Sequence, residues 1–325
     1  MRRLLLSCAA SLLLYAAAFG FVLDRPLSLG LPRAQLDAKL ARGAAIEGPK
    51  LVILAGSNGP YSHRCETIEP ILGMPCVNAG VAVGIGLDYM FARWEPLLHP
   101  GDVVYLPLEE AQYTVSLASS RLGPDAAMMA RRDWHTLSRL PAQRWFAAFF
   151  AFDLRAAIMS VIETALVSGG FHDPRAEATG TTNAWGDHIG HTPALAEASQ
   201  PVLAAMTPIH ASAAQVRSQA ASRQIPDFLA WAARRHVRAI GGLPTGFADS
   251  PVPPATLAAV RTLFESHGAA FLDPPNHCRY KRRDFFDTAD HLNEPAQIAH
   301  SRMIAEALRT MISPVIAAAG SPQNR

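Results

Sequence analysis

The sequence predicts an α/β protein: a parallel sheet of five strands covered by helices, carried behind an N-terminal membrane anchor. Three observations lead there. Short apolar runs bounded by Gly, Pro, Asp or His recur at 51–55, 75–78, 102–106, 236–240 and 269–272. Each is followed by a long connection, several with helical spacing, as parallel strands need and hairpins do not. The third is Leu4 to Leu23, twenty residues without a charge, at the start of the chain.

That first run follows Met1-Arg2-Arg3 and ends at Asp24-Arg25-Pro26. At 1.5 Å per residue it just spans a bilayer. It reads either as an uncleaved signal anchor or as a leader cut after Ala18-x-Gly20, and its length favours the anchor. The basic residues before it keep the N-terminus cytoplasmic, so the rest faces the periplasm. Residues 27–49, with Pro, Gly and mixed charge, read as a linker. Leu51-Val-Ile-Leu-Ala55 is then a fully buried strand, as expected where both faces of a sheet are covered. Helices are expected over 62–72 and 87–98, between the first three strands. From 118 to 232 the alternation stops, and the chain reads as a mainly helical insertion with an irregular Gly, Thr, Asn and His stretch at 169–192. The sheet domain is thus 50–117 plus 233–312, with helices expected from Pro254 to His267 and from Pro295 to Met311. Residues 313–325 read as a frayed tail.

Composition narrows the function. At about 150 residues per domain, 325 residues make roughly two domains, or one large domain with an insertion. Lys+Arg 29 against Asp+Glu 27 leaves a net charge of +2, too little for a basic face that reads nucleic-acid phosphates. The 50% hydrophobic content is spread along the chain, which excludes disorder and a multi-span membrane protein. Cys8 lies in the leader, leaving Cys65, Cys76 and Cys278 with no CxxC spacing. A Cys65 to Cys76 bridge would need an oxidising compartment, and ordinary buried thiols are the preferred reading.

In an open parallel sheet, ligands sit at the carboxyl ends of the strands. After the first strand stands Gly56-Ser57-Asn58-Gly59. Ser57 there is either a rim-exposed nucleophile with backbone N–H groups beside it or simply a helix cap. Asn78-Ala79-Gly80 follows the second strand and runs into Gly84-x-Gly86. It lets backbone approach a ligand, or it is an ordinary strand-to-helix turn. No glycine stands three residues after Gly86, so the dinucleotide fingerprint is incomplete and no nucleotide cofactor is expected. Before the last helix comes Phe285-Phe-Asp287-Thr-Ala-Asp290-His291-Leu-Asn293. A carboxylate and an imidazole on one loop can act as orienting acid and general base, or the acids can serve only as caps.

Together these three segments resemble the SGNH (GDSL-like) hydrolase superfamily, nearest to its branch in bacterial exopolysaccharide and envelope O-acylation. The resemblance covers about 50–110 and 235–312. It implies a three-layer α/β/α, flavodoxin-like domain with Ser57 as nucleophile, His291 as general base and Asp287 as its acid. Gly80, with Asn78 of the same segment, falls in the oxyanion hole. The chain departs from the family pattern in three places. Asp287 precedes His291 by four positions where the family has three, with Thr288 in the expected place and Asp290 as the alternative acid. After strand three, where the family has an oxyanion asparagine, stands Pro107-Leu108-Glu109-Glu110-Ala-Gln112. Either Gln112 or another group substitutes there, or the hole has backbone donors only. The stretch from Gly80 to Gly86 also differs.

Of the histidines in or near the insertion, His172, His188, His191 and His210, the Asp187-His188-x-x-His191 set lacks a third ligand at defined spacing, so no metal is expected. Asn183-x-x-Gly186-Asp187 is expected to close over the cleft. Arg279, Lys281, Arg282 and Arg283 form a solvated turn or attract an anionic glycan or lipid headgroup. The expectation is therefore a periplasm-facing enzyme at the inner membrane that cleaves or transfers an acyl ester on a polysaccharide. It would work without cofactor or nucleic acid, beside a polysaccharide synthesis machinery. The alternative is an inactive accessory or scaffold protein of such a machinery.

Overall fold

The computed structural model describes residues 1–23, 27–151, 154–171 and 181–319. In chain order the helices are α1 (Arg2–Ala18), α2 (Leu27–Ala45), α3 (Asn58–Ser62), α4 (Cys65–Leu72), α5 (Leu87–Trp94), α6 (Glu110–Thr114), α7 (Leu117–Leu122), α8 (Pro124–Arg131), α9 (Trp134–Leu137), α10 (Ala142–Phe150), α11 (Leu154–Ser168), α12 (Pro193–Ala196), α13 (Gln200–Ala205), α14 (Ala213–Ser218), α15 (Ala221–Arg234), α16 (Pro254–Glu265) and α17 (Glu294–Ala319). The strands are β1 (Leu51–Ile53), β2 (Cys76–Asn78), β3 (Val103–Leu106), β4 (Arg238–Gly242), β5 (Gly246–Phe247), β6 (Ala270–Leu272) and β7 (Arg279–Tyr280). All five expected strands are present, and they form one parallel sheet in the order β2-β1-β3-β4-β6. A separate two-stranded pair joins β5 to β7.

The apolar runs form central strands because helices bury them: Leu51, Val52, Ile53, Val104, Tyr105, Leu106 and Ile240 are all fully buried. Register then decides where the chemistry falls. Ile53 pairs with Asn78 on one side and Tyr105 on the other. The residues just after β1, β2 and β3 therefore emerge side by side at one edge of the sheet.

At the opposite ends of β1 and β3 an ion pair is sealed in the core. Lys50 Nζ lies 2.8 Å from Asp102 Oδ2, and both side chains are fully buried. Asp102 also accepts the Lys50 and His99 backbone N–H groups, which satisfies the carboxylate in its apolar setting.

Three expectations need correction. Residues 27–45 are helix α2, not linker: Leu36, Lys39 and Leu40 point inward, and the ring of Trp94 covers Gly43. Residues 313–319 continue α17, while 320–325 lie outside the described residues. Cys65 and Cys76 form a disulfide, with Cα atoms 5.3 Å apart. It joins the first turn of α4 to the start of β2, neighbours that sequence spacing alone does not reveal.

Helices fill the chain between β3 and β4, as expected. The last of them, α15, buries Ile225, Phe228 and Leu229, stacks Phe228 on Phe91 of α5 at 4.3 Å, and packs on β4, so it covers the sheet itself. The apolar N-terminal helix Arg2–Phe21 has mean hydropathy 2.0 and no buried residue. The boundary Asp24-Arg25-Pro26 and His172 lie outside the described residues.

Candidate active site

β1 ends in the Gly56-Ser57 turn, and Ser57 caps α3. This turn sits against the segment after β2 at backbone distance. A Cβ on Gly80 would stand 2.6 Å from Gly56 O and 2.8 Å from Gly59 Cα, so only glycine fits there. Among the described residues, neither the Ser57 N–H nor the Gly80 N–H has a protein acceptor, as donors kept for an oxyanion require. The carbonyl of Gly80 accepts from Lys39 Nζ. Burial pulls that ammonium down to about 7, with Asp187 opposing the shift.

Asn78 cannot serve as an oxyanion donor, which corrects the expectation. Its backbone N–H goes to Trp185 O, and its side-chain Nδ2 to Gly59 O, His63 O and Asp187 Oδ1 at 2.8–3.0 Å. An amide has two protons, and both are committed to holding the α3 and α4 region together.

The loop before α17 closes as an antiparallel bridge between Phe285 and Leu292, with Phe286 N–H donating to His291 O. The bend presents Asp287 and His291 together, with Asp287 Oδ1 2.7 Å from His291 Nδ1. With Nδ1 engaged by Asp287, Nε2 is the ring nitrogen left to meet a substrate or a serine hydroxyl. The imidazole lies flat on Tyr61, centroids 4.0 Å apart and planes 8° apart. Tyr61 is one helical turn beyond Ser57 in the same short helix, and its N–H donates to Ser57 O. Its other face carries His188 at 4.1 Å. Burial and then the Asp287 charge push the Tyr61 phenol up to about 12, so it stays neutral.

No hydrogen bond joins Ser57 to His291 among the described residues. The Ser57 hydroxyl donates instead to Glu109 Oε1 at 3.2 Å, and the same oxygen accepts the Asn58 N–H at 2.9 Å. Glu109, buried after β3, thus puts a carboxylate on the N-terminus of α3, where the resemblance implied an asparagine. Gln112, the other candidate there, is held in a helix cap, its side-chain oxygen accepting from Glu109 N–H. No hydrogen bond joins the alternative acid Asp290 to His291 among the described residues. Its carboxyl is pushed up to about 8, first by burial and then by the charge of Glu109, against the pull of Arg279. Its carbonyl holds the Ser62 and Thr245 hydroxyls.

The 183–187 loop meets the site region through Asp187. That carboxylate caps α4 by accepting the Cys65 and Glu66 N–H groups, and it also accepts hydrogen bonds from the side-chain amides of Asn78 and Asn183. His188 and His191 are both held down to about 4 by burial first and neighbouring histidines next, so they are neutral at pH 7. No cluster of metal-ligating side chains exists among the described residues.

A second serine–histidine–carboxylate chain escaped the sequence reading, because its members are far apart and carry no motif. Ser250 Oγ is 2.7 Å from His210 Nε2, and His210 Nδ1 is 3.0 Å from Glu110. Glu110 is held further by Ala211 N–H and by Arg279. The connectivity is that of a triad, but the backbone N–H groups at the serine are not free to bind an oxyanion. The Ser250 N–H is bound to Phe247 O, and the next residue, Pro251, has none. The chain latches the 206–212 segment to the turn after β5.

No family model, no curated protein and no solved structure matches this chain.

Proposed function

We propose that this chain is a membrane-anchored, periplasm-facing serine esterase or O-acyltransferase of the SGNH type, acting on acyl esters of an exopolysaccharide or envelope glycan. The observation that carries the reading is the Asp287–His291 bond of 2.7 Å, on an imidazole stacked against the same short helix that Ser57 caps. The sheet order β2-β1-β3-β4-β6 fits the three-layer, flavodoxin-like arrangement that the resemblance implies. A disulfide at Cys65–Cys76 agrees with an oxidising compartment outside the cytoplasm.

In this mechanism Ser57 turns from Glu109 and gives its proton to His291 Nε2 as Oγ bonds to the ester carbonyl carbon. Asp287 holds the ring and stabilises its cation. The Ser57 and Gly80 N–H groups take the oxyanion. Collapse breaks the ester C–O bond, and the leaving alkoxide takes the proton from His291. Water then releases the acyl group, or a sugar hydroxyl accepts it, according to how well the occupied site excludes water. Lys281 and Arg283 stand just before the Asp287–His291 loop in sequence, suited to an anionic glycan, while Arg282 is held by Asp249 and the Met206 carbonyl.

A second reading, a non-catalytic accessory protein of a polysaccharide machinery, is favoured by one observation: the Ser57 hydroxyl is held by Glu109 rather than His291. Turnover separates the two. The enzyme reading expects hydrolysis of a chromogenic acetyl ester by the full chain in detergent, abolished by Ser57→Ala and by His291→Ala. Equal background rates for all three folded proteins favour the accessory reading.

A further inference from the structure

We infer that helices α10 and α11 are a second membrane attachment, lying in the outer-leaflet interface beside the N-terminal anchor. The inference rests on residues 2–21 being retained as that anchor. Phe146, Phe150, Leu154, Ile158, Ile162 and Leu166 are each 45–64% exposed, large and apolar. Across 142–171 the sequence holds only four charges, Arg144, Asp153, Arg155 and Glu163, and Arg144 is buried on Asp88. α11 is apolar around much of its circumference. Such a helix is normally buried; one side of α11 packs on α2 and on residues 19–23, but Leu154, Ile158, Ile162 and Leu166 stay uncovered among the described residues.

The occupant is named by what this patch adjoins. Tyr15 of α1 stacks on Phe150 at 5.6 Å, its hydroxyl donates to Phe149 O, and Phe19 meets Phe149 at 5.9 Å. The patch is therefore continuous with the helix that crosses the bilayer. Tyr15 is six residues before Phe21, the end of the apolar helix, since 21 − 15 = 6. At 1.5 Å per residue that places the contact about 9 Å below the end of the span, the depth at which interfacial helices bury their apolar face. With 15 residues, α11 is about 22 Å long, too short to cross a hydrocarbon core of about 30 Å. Trp134 and Trp145, half-exposed at the margin of the same surface, suit the headgroup level. Arg131 lies over the Phe19 ring at 4.3 Å, a cation at the same boundary. Two attachments would hold the domain at a fixed tilt to the membrane rather than letting it swing on a tether.

The test uses the full chain in phosphatidylethanolamine–phosphatidylglycerol vesicles. In a Cys8→Ser background, where the one other free thiol, Cys278, is buried, a cysteine is added at Phe146, Ile158 or Ile162, with one at exposed Ser266 as the aqueous control. Each is spin-labelled, and its collisions with oxygen and with a water-soluble nickel chelate are compared. The first three are expected to meet oxygen more often than nickel, and Ser266 the reverse. Nickel collisions exceeding oxygen at all three would overturn the inference. So would labels shielded from both reagents, which indicate a second copy on the patch. Intact mass separates this from the anchor reading. Lipid-type accessibility in a chain that has lost residues 1–20 keeps the docking surface but removes the anchor beside it. Water-type accessibility in a full-length chain refutes the docking alone. The unmodified chain gives an independent check, because brominated acyl chains should quench tryptophan fluorescence, and no quenching contradicts the docking.

Discussion

Replacing Glu109 by Gln addresses the one feature of the site that opposes the proposed chemistry. Glu109 Oε1 lies 3.2 Å from the Ser57 hydroxyl, so a negative charge on Glu109 would stand on the order of 4 Å from the charge that develops on a carbonyl attacked there. Two like charges at that distance repel by about 4 kcal/mol at an effective dielectric of about 20. Ser57 is half-buried, and halving the figure for solvent leaves about 2 kcal/mol, or roughly 30-fold in rate. Gln also keeps an oxygen for the Asn58 N–H while adding N–H donors, and one oxyanion donor is worth about 10²-fold or more elsewhere. Glu109→Gln should therefore raise kcat for a chromogenic acetyl ester by at least about 30-fold. The loss of charge at the α3 N-terminus should lower stability by only about 1 kcal/mol, readable by chemical denaturation. The Asp290 carboxyl should fall from its value of about 8, since the Glu109 charge helps to hold it there. A native-folded Glu109→Gln with kcat reduced about 100-fold would refute the reasoning. It would make Glu109, the actual partner of the Ser57 hydroxyl, the general base in place of His291.

Three further outcomes concern the frame of the site. Asp102→Asn leaves the fully buried Lys50 ammonium without its counter-charge and should destabilise the fold by about 3–5 kcal/mol in urea melts, whereas a loss under 1 kcal/mol would show that water reaches the pair. Reduction of Cys65–Cys76, which closes a loop of sequence separation 11, should lower stability by about 3 kcal/mol, and alkylation of both thiols without reductant would contradict the bridge. Acid should unfold the protein early. His63 is fully buried and held down to about 4 from 6.5, chiefly by burial, so the unfolded chain binds its proton across that window while the folded chain does not. Its share of stability is complete above pH 6.5 and is lost as pH falls toward 4, about 3 kcal/mol, with His188 and His191 acting in the same sense. Asp290, protonated in the fold up to about 8, opposes with one proton, so denaturation midpoints that stay flat from pH 6.5 to 4 would show these histidines to be solvated.

The strands were legible because residues such as Leu51-Val-Ile53 and Val103 to Leu106 are buried on both faces and so must be continuously apolar. Asp287 and His291 were legible because four residues on one bent loop bring them together. Helix α2 was hidden by its own core face, where Lys39 and Gly43 replace apolar residues: Lys39 is buried to hold the Gly80 carbonyl, and Gly43 admits the Trp94 ring. Contacts between distant segments left no local trace. Asp187 caps α4 from more than a hundred residues away, and Ser57 meets Glu109 only because β1 and β3 are neighbours in the sheet. The role expected for Asn78 failed for a related reason, since what consumes its amide is the folded-in 183–187 loop and the α3 carbonyls.

The central claim is that Ser57 is a nucleophile activated by His291. The most direct measurement is labelling of the full chain in detergent with a fluorophosphonate, with the adduct located by mass spectrometry. The account predicts one adduct, on Ser57, lost in a folded His291→Ala and retained in Ser250→Ala. An adduct on Ser250, a Ser57 adduct that persists without His291, or no adduct on the folded protein would contradict it.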